Sequence, residues 1–77
     1  MFIYETFVEN LNNPHIGEYT AYGVVVYQAV EMEKKEIFKM SDVYTNAEEI
    51  KNLVQLCNKE QLDPIHFIDI VEDMLYS

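Results

Sequence analysis

A chain of 77 residues makes one small domain, and a domain of that size buries only about 60% of the surface its unfolded form exposes, which leaves little room for an enclosed active site. Fourteen acidic residues against five lysines and no arginine give a net charge of -9, which opposes direct binding to nucleic-acid phosphates or to an anionic membrane surface. A hydrophobic fraction of 49%, with six tyrosines and four phenylalanines, still requires a packed core and excludes a disordered chain.

The single cysteine, Cys57, has no partner for an internal disulfide. The first residues lack the basic region and continuous apolar core of a signal peptide, and no apolar run approaches the ~20 residues that span a bilayer. A reducing, cytoplasmic setting is the expectation.

From Met1 to Asn10 the residues alternate as a strand would, with Phe2, Tyr4, Thr6 and Val8 on one face and Ile3, Glu5, Phe7 and Glu9 on the other. Leu11 to Gly17 gathers turn formers around Pro14 and predicts a loop. Glu18 to Val30 is rich in β-branched and aromatic residues, and its middle is apolar on both faces, as in a central strand covered from both sides. Two helices in so short a chain cover one face, so either the sheet curls or a second subunit covers the other. Gly23 inside this run predicts a bulge or a close backbone approach.

Glu31 to Glu36 is a charged stretch that reads as a hairpin connection, after which Ile37, Phe38, Met40, Val43 and Tyr44 form a third strand. Thr45 and Glu48 have the spacing of a capping box, so a helix is expected from Thr45 to about Glu60, with Ile50, Leu53, Val54, Leu56 and Cys57 along its apolar stripe. Asp63 and Pro64 mark a second helix start. On that helix Phe67, Ile68, Ile70, Val71, Met74 and Leu75 cover one broad face, while Ile65 and Tyr76 fall among the acids Asp69, Glu72 and Asp73 on the other. The fold class is therefore α+β: a three-stranded antiparallel β-meander followed by two C-terminal α-helices packed on one sheet face, in a single domain over residues 1–77.

Ser41-Asp42-Val43 with Thr45, Leu53 to Asn58, Gln61 to His66, Val71-Glu72-Asp73 and Gly17 to Gly23 together resemble a family of small proteins from clostridial-type Firmicutes, the domain of unknown function 6514. The resemblance spans most of the chain and implies no activity, substrate or cofactor. The lysine-containing Glu31–Glu36 connection departs from the family pattern.

Motifs for chemistry are weak. His66 lies three and seven residues before Asp69 and Asp73, within helical reach, but no nucleophile or glycine-rich anion loop accompanies it. Cys57, His66 and His15 lack the spacing of a zinc site, and Glu48-Glu49 and Glu72-Asp73 lack the alternating oxygens of a calcium loop. No metal, no cofactor and no enzymatic activity are expected. Tyr19, Tyr22 and Tyr27 read as half-buried sheet residues, since a base-stacking platform would need positive charge beside them.

Two functions remain. One is a protein-interaction or regulatory module, self-associating as a homodimer or binding another protein, whose sheet face of Tyr22, Val24, Val26, Phe38 and Met40 is closed by the partner. The other is a mimic of nucleic acid that occupies the basic groove of a nucleic-acid-binding protein, as phage inhibitors of nucleases do. Its carboxylates would be Glu60, Asp63, Asp69, Glu72 and Asp73, with Ile65 and Tyr76 as apolar anchors.

Overall fold

Strands β1 (Phe2–Asn13), β2 (Gly17–Val30) and β3 (Glu33–Tyr44) pair antiparallel in the order β1-β2-β3, and helices α1 (Ala47–Glu60) and α2 (Pro64–Tyr76) follow. This computed structural model describes residues 1–76, the side chains of residues 74–76 excepted. The α+β meander with two C-terminal helices is the layout expected from the sequence.

Both hairpins are tighter than the loop residues suggest. Leu11, Asn12 and Asn13 pair with Tyr19, Glu18 and Gly17, which leaves Pro14 to Ile16 as the turn. The Asn13 side chain accepts from the His15 amide at 2.8 Å, and Gly17 takes the left-handed φ of 83° that closes the turn. Glu33 to Glu36 likewise belong to β3, and the second turn is only Glu31-Met32, with Glu31 at φ 58°. Polarity misleads in both places because a ladder needs backbone donors and acceptors, not apolar side chains, and both hairpin ends face water.

The cap of α1 also shifts by one residue. Asn46, not Thr45, is the N-cap, and its side-chain oxygen accepts from the Glu48 and Glu49 amides at 2.9 and 3.1 Å. Asp63 caps α2 as expected, with its carboxylate accepting from the Ile65 amide at 3.0 Å and its carbonyl from the Phe67 amide at 3.1 Å.

The core lies between the helices and one face of the sheet. Tyr4, Val24, Val26, Val43, Ile50, Val54, Cys57, Phe67 and Val71 are buried together, and Tyr22, Phe38 and Met40 pack half-buried against them. The face of Tyr22, Val24, Val26, Phe38 and Met40, expected to be closed by a second subunit, is thus closed by this chain's own helices. Val24 and Val26 are fully enclosed and offer no surface to a partner.

The opposite face is covered by side chains that reach across β2. Val25, Gly23 and Ala21 of β2 stand beside Glu5, Phe7 and Glu9 of β1, and each small or branched residue lets a long neighbour pass over it. Phe7 lies over Gly23, where a Cβ would meet its ring, and Lys39 of β3 stacks on that ring at 4.5 Å. Glu9 reaches over Ala21 to accept from the Ser41 hydroxyl at 2.6 Å and the Asp42 amide at 3.1 Å. Glu5 pairs with Lys34 at 2.9 Å, and the same lysine lies 4.2 Å from the Tyr27 ring. Two-sided apolarity in β2 is satisfied without a second protein layer.

Gly23 also marks an irregularity in β3. Between Tyr22–Tyr44 and Val24–Met40 the register shifts, so Ser41 to Val43 bulge opposite Gly23, with Asp42 at φ 55°. Glu9 holds this bulge, and Tyr19 adds a hydrogen bond to Asp42 at 2.9 Å.

The molecule measures 45 × 26 × 19 Å, whereas α1 is only about 21 Å long. The helices therefore cover one part of the sheet, and the β1–β2 hairpin extends beyond them with Val8 and Ile16 exposed.

A methyl group at Gly23 would stand 2.6 Å from the Met40 carbonyl oxygen as well as inside the Phe7 ring. Gly23→Ala should lower stability by about 2 kcal/mol, read by urea denaturation. Adding Phe7→Leu should not restore it, because the backbone carbonyl stays in place.

Candidate functional site

The helices are locked to the edge of β1 through backbone groups. The Asn58 side chain accepts from the Tyr4 amide at 2.7 Å and donates to the Tyr4 carbonyl at 3.0 Å. Gln61 treats Phe2 the same way, accepting at 2.9 Å and donating at 3.1 Å. Two side-chain amides thus do what an added strand would do. The Tyr4 hydroxyl donates to the Leu62 carbonyl at 2.6 Å and fixes the connection between the helices.

That connection is a Schellman turn. Gln61 is left-handed at φ 50°, the Leu62 amide donates to the Cys57 carbonyl at 3.0 Å, and the Gln61 amide donates to the Asn58 carbonyl at 3.3 Å. Glycine is favoured at such a position, and a side chain there costs about 1 kcal/mol. The bonds from Gln61 to Phe2 account for a glutamine instead. The turn carries Leu62 back toward Cys57, and α2 starts from there.

Phe67 anchors α2, with its ring 5.2 Å from Tyr4 and 6.0 Å from Phe38. Val71 is buried one turn later, but Ile70 is 38% exposed although its apolar character placed it on the covered face. On α1 Leu56 is 56% exposed, while Ile50, Val54 and Cys57 are buried. The apolar stripes of both helices are wider than the sheet can cover.

The surplus lines a groove. Leu53, Leu56, Cys57, Glu60, Leu62 and Ile70 enclose a cavity of about 220 Å³ between the helices, open to solvent. Burial pushes the Cys57 thiol up from its ordinary pKa, so at neutral pH it is a protonated apolar floor and not a thiolate. A larger hollow of about 480 Å³, lined by Asn10 to Asn12 and Glu18 to Thr20, is the cupped surface of the β1–β2 hairpin. Paired positions of a single ribbon form all of it, so no second element brings other chemistry there.

The outer side of α2 places the sequence candidates as follows. Ile65 is 70% exposed, and Asp69, Glu72 and Asp73 are exposed on the same helix. The Tyr76 side chain lies outside the described residues. His66 is exposed. His15 stands in the turn at the far end of the first hairpin, remote in the chain from Cys57 and His66. Tyr19, Tyr22 and Tyr27 are each half-buried, the first and last on the outer sheet face and Tyr22 on the helix side. The interhelical groove was missed by sequence reasoning, which assigned Leu56 and Ile70 to the core. Its signal was an apolar stripe with more members than the core could absorb.

The chain belongs to the family of unknown function DUF6514, whose model matches residues 1–77. No curated protein and no solved structure matches it. No helix among the described residues is long and apolar enough to cross a membrane.

The Tyr4 hydroxyl that positions Leu62 gives the site a pH signature. Burial, then the charges of Cys57 and Asp63, push its pKa up from 10.0 to about 12. A raised pKa means that the folded state favours the neutral phenol, so this contribution is whole below pH 10 and is lost as pH rises toward about 12. Chemical denaturation between pH 9 and about 12 should show a loss of stability of about 2 kcal/mol in the native chain. Tyr4→Phe should be about 1–2 kcal/mol less stable at neutral pH and should lack that part of the alkaline decline.

Proposed function

We propose that this protein is a non-enzymatic interaction module that binds another protein through its helical layer. The observation that supports this reading best is the groove: Leu53, Leu56, Leu62 and Ile70 leave an apolar opening beside a helix that also exposes Asp69, Glu72 and Asp73. About 220 Å³ is below the range of about 300–1,000 Å³ of pockets that enclose whole small molecules, but it accommodates side chains of a partner. Ile65, Asp69, Glu72 and Asp73 extend the same layer outward.

Mimicry of nucleic acid is the less favoured version. α2 has no lysine or arginine, but its acids alternate with exposed Ile65 and Ile70, so the surface is part apolar where a phosphate row is not. A charge of -9 also disfavours self-association.

Photo-reactive residues placed at Leu56 and Ile65 should crosslink a partner in the native host, and one at Ile16 on the hairpin should not. The triple reversal Asp69→Lys, Glu72→Lys and Asp73→Lys should slow association about tenfold and weaken its salt dependence. Adducts confined to Ile16, or a partner that tolerates the reversal at all salt concentrations, would displace the site from the helices.

A further inference from the structure

The groove has a chemical pattern beyond its shape. On α1 the groove wall is Leu53, Leu56 and Glu60, and helical spacing continues the same line one turn back to Glu49, so the aliphatic pair has a carboxylate on either side. On α2 the corresponding line is His66, Ile70 and Asp73. By helical projection Lys51 lies on the far flank of α1 while Lys59 stands one turn from Leu56 at the outer rim of the groove, and α2 contains no lysine or arginine. The groove is therefore aliphatic along its centre, and its margins carry the carboxylates of Glu49, Glu60 and Asp73 against the ammonium of Lys59.

We propose that the groove between α1 and α2 receives an amphipathic helix of a partner protein that carries an aliphatic stripe flanked by lysine or arginine. This rests on the reading of the helical layer as the binding surface and adds the chemistry of what it binds. Three features favour that occupant. The opening has room for one or two aliphatic side chains, as an i, i+3 or i, i+4 pair would present. Its walls are helices, so a third helix can lay its ridge between them. The carboxylates of Glu49, Glu60 and Asp73 at the margins complement basic flanks and repel acidic ones. A second copy of this chain satisfies the apolar requirement but meets like charge at these carboxylates, since its own α1 and α2 carry the same pattern.

The test uses the whole chain with labelled isoleucine and leucine methyl groups. The probe is a synthetic amphipathic peptide of about 15 residues with leucines at i, i+3, i+4 and i+7 and lysines on the flanks. Two control peptides are needed, one with the same composition but dispersed leucines and one with glutamate in place of lysine. NMR titration should shift the methyls of Leu53, Leu56, Leu62 and Ile70 and leave Ile16 unmoved. Leu56→Lys should weaken binding at least about tenfold without changing the remaining spectrum. Glu60→Gln, which keeps the shape, should weaken it less and reduce its salt dependence.

Equal binding of the dispersed peptide, or shifts at Ile65 without shifts at Ile70, means general attraction to an acidic protein and overturns the proposal. Equal binding of the glutamate peptide overturns the basic partner. Concentration-dependent shifts of the groove methyls in the absence of peptide make a second copy the occupant. Host crosslinks from Leu56 together with any of these negative results leave the interaction module standing and remove only the helical, basic partner.

Discussion

The arrangement depends on a pairing between the backbone of β1 and two amide side chains. In an antiparallel strand alternate residues turn their backbone groups inward and outward, and the outward groups of Phe2 and Tyr4 have no neighbouring strand. Asn58 and Gln61 supply a donor and an acceptor to each. An amide is suited to this because one side chain offers both functions, which neither a carboxylate nor an ammonium does. The pairing sets the end of α1 beside the first residues of β1. From there Tyr4 reaches the Leu62 carbonyl, and the direction of α2 follows.

The same economy explains how a three-stranded sheet stands with helices on one side only. Small residues in the central strand allow long residues from an edge strand to lie flat across the open face. Glu9 over Ala21 reaches the β3 bulge, and Phe7 over Gly23 meets Lys39. These contacts are exposed and individually weak, so their effect is less to add stability than to exclude water from Val25 and fix the register of β3. Lys34 illustrates the point, since one ammonium group serves both the Glu5 carboxylate and the Tyr27 ring.

What the sequence disclosed was what a single residue type enforces locally. Asp63-Pro64 could start a helix and little else, and the β-branched run of Glu18 to Val30 had to be a central strand. What it concealed depended on distant partners. Leu11 to Asn13 carries turn formers, yet it pairs because Gly17 to Tyr19 returns in register. Thr45 and Asn46 are adjacent and equally able to cap, and the geometry after β3 selected Asn46. The two-sided apolarity of β2 was legible but its cause was not, because Glu5, Phe7 and Glu9 become a cover only once Val25, Gly23 and Ala21 stand opposite them. The outward position of Ile65 among acids followed from helical spacing alone. The groove did not, since the exposure of Leu56 and Ile70 follows from how far α2 diverges from α1.

Charge distribution separates the two faces as surfaces for recognition. Lys34 and Lys39 on the outer sheet face are already engaged with aromatic rings, and Glu5 and Glu9 with groups of β3. A partner there would have to displace contacts that hold the sheet in register. Residues 45–77, by contrast, hold seven of the fourteen acids but only two of the five lysines, and α2 has none. An uncompensated carboxylate beside low-dielectric aliphatic surface loses part of its hydration and projects its field further than one on an open sheet. The helical layer therefore combines the surplus apolar area with the surplus charge, and the two coincide at the groove between α1 and α2.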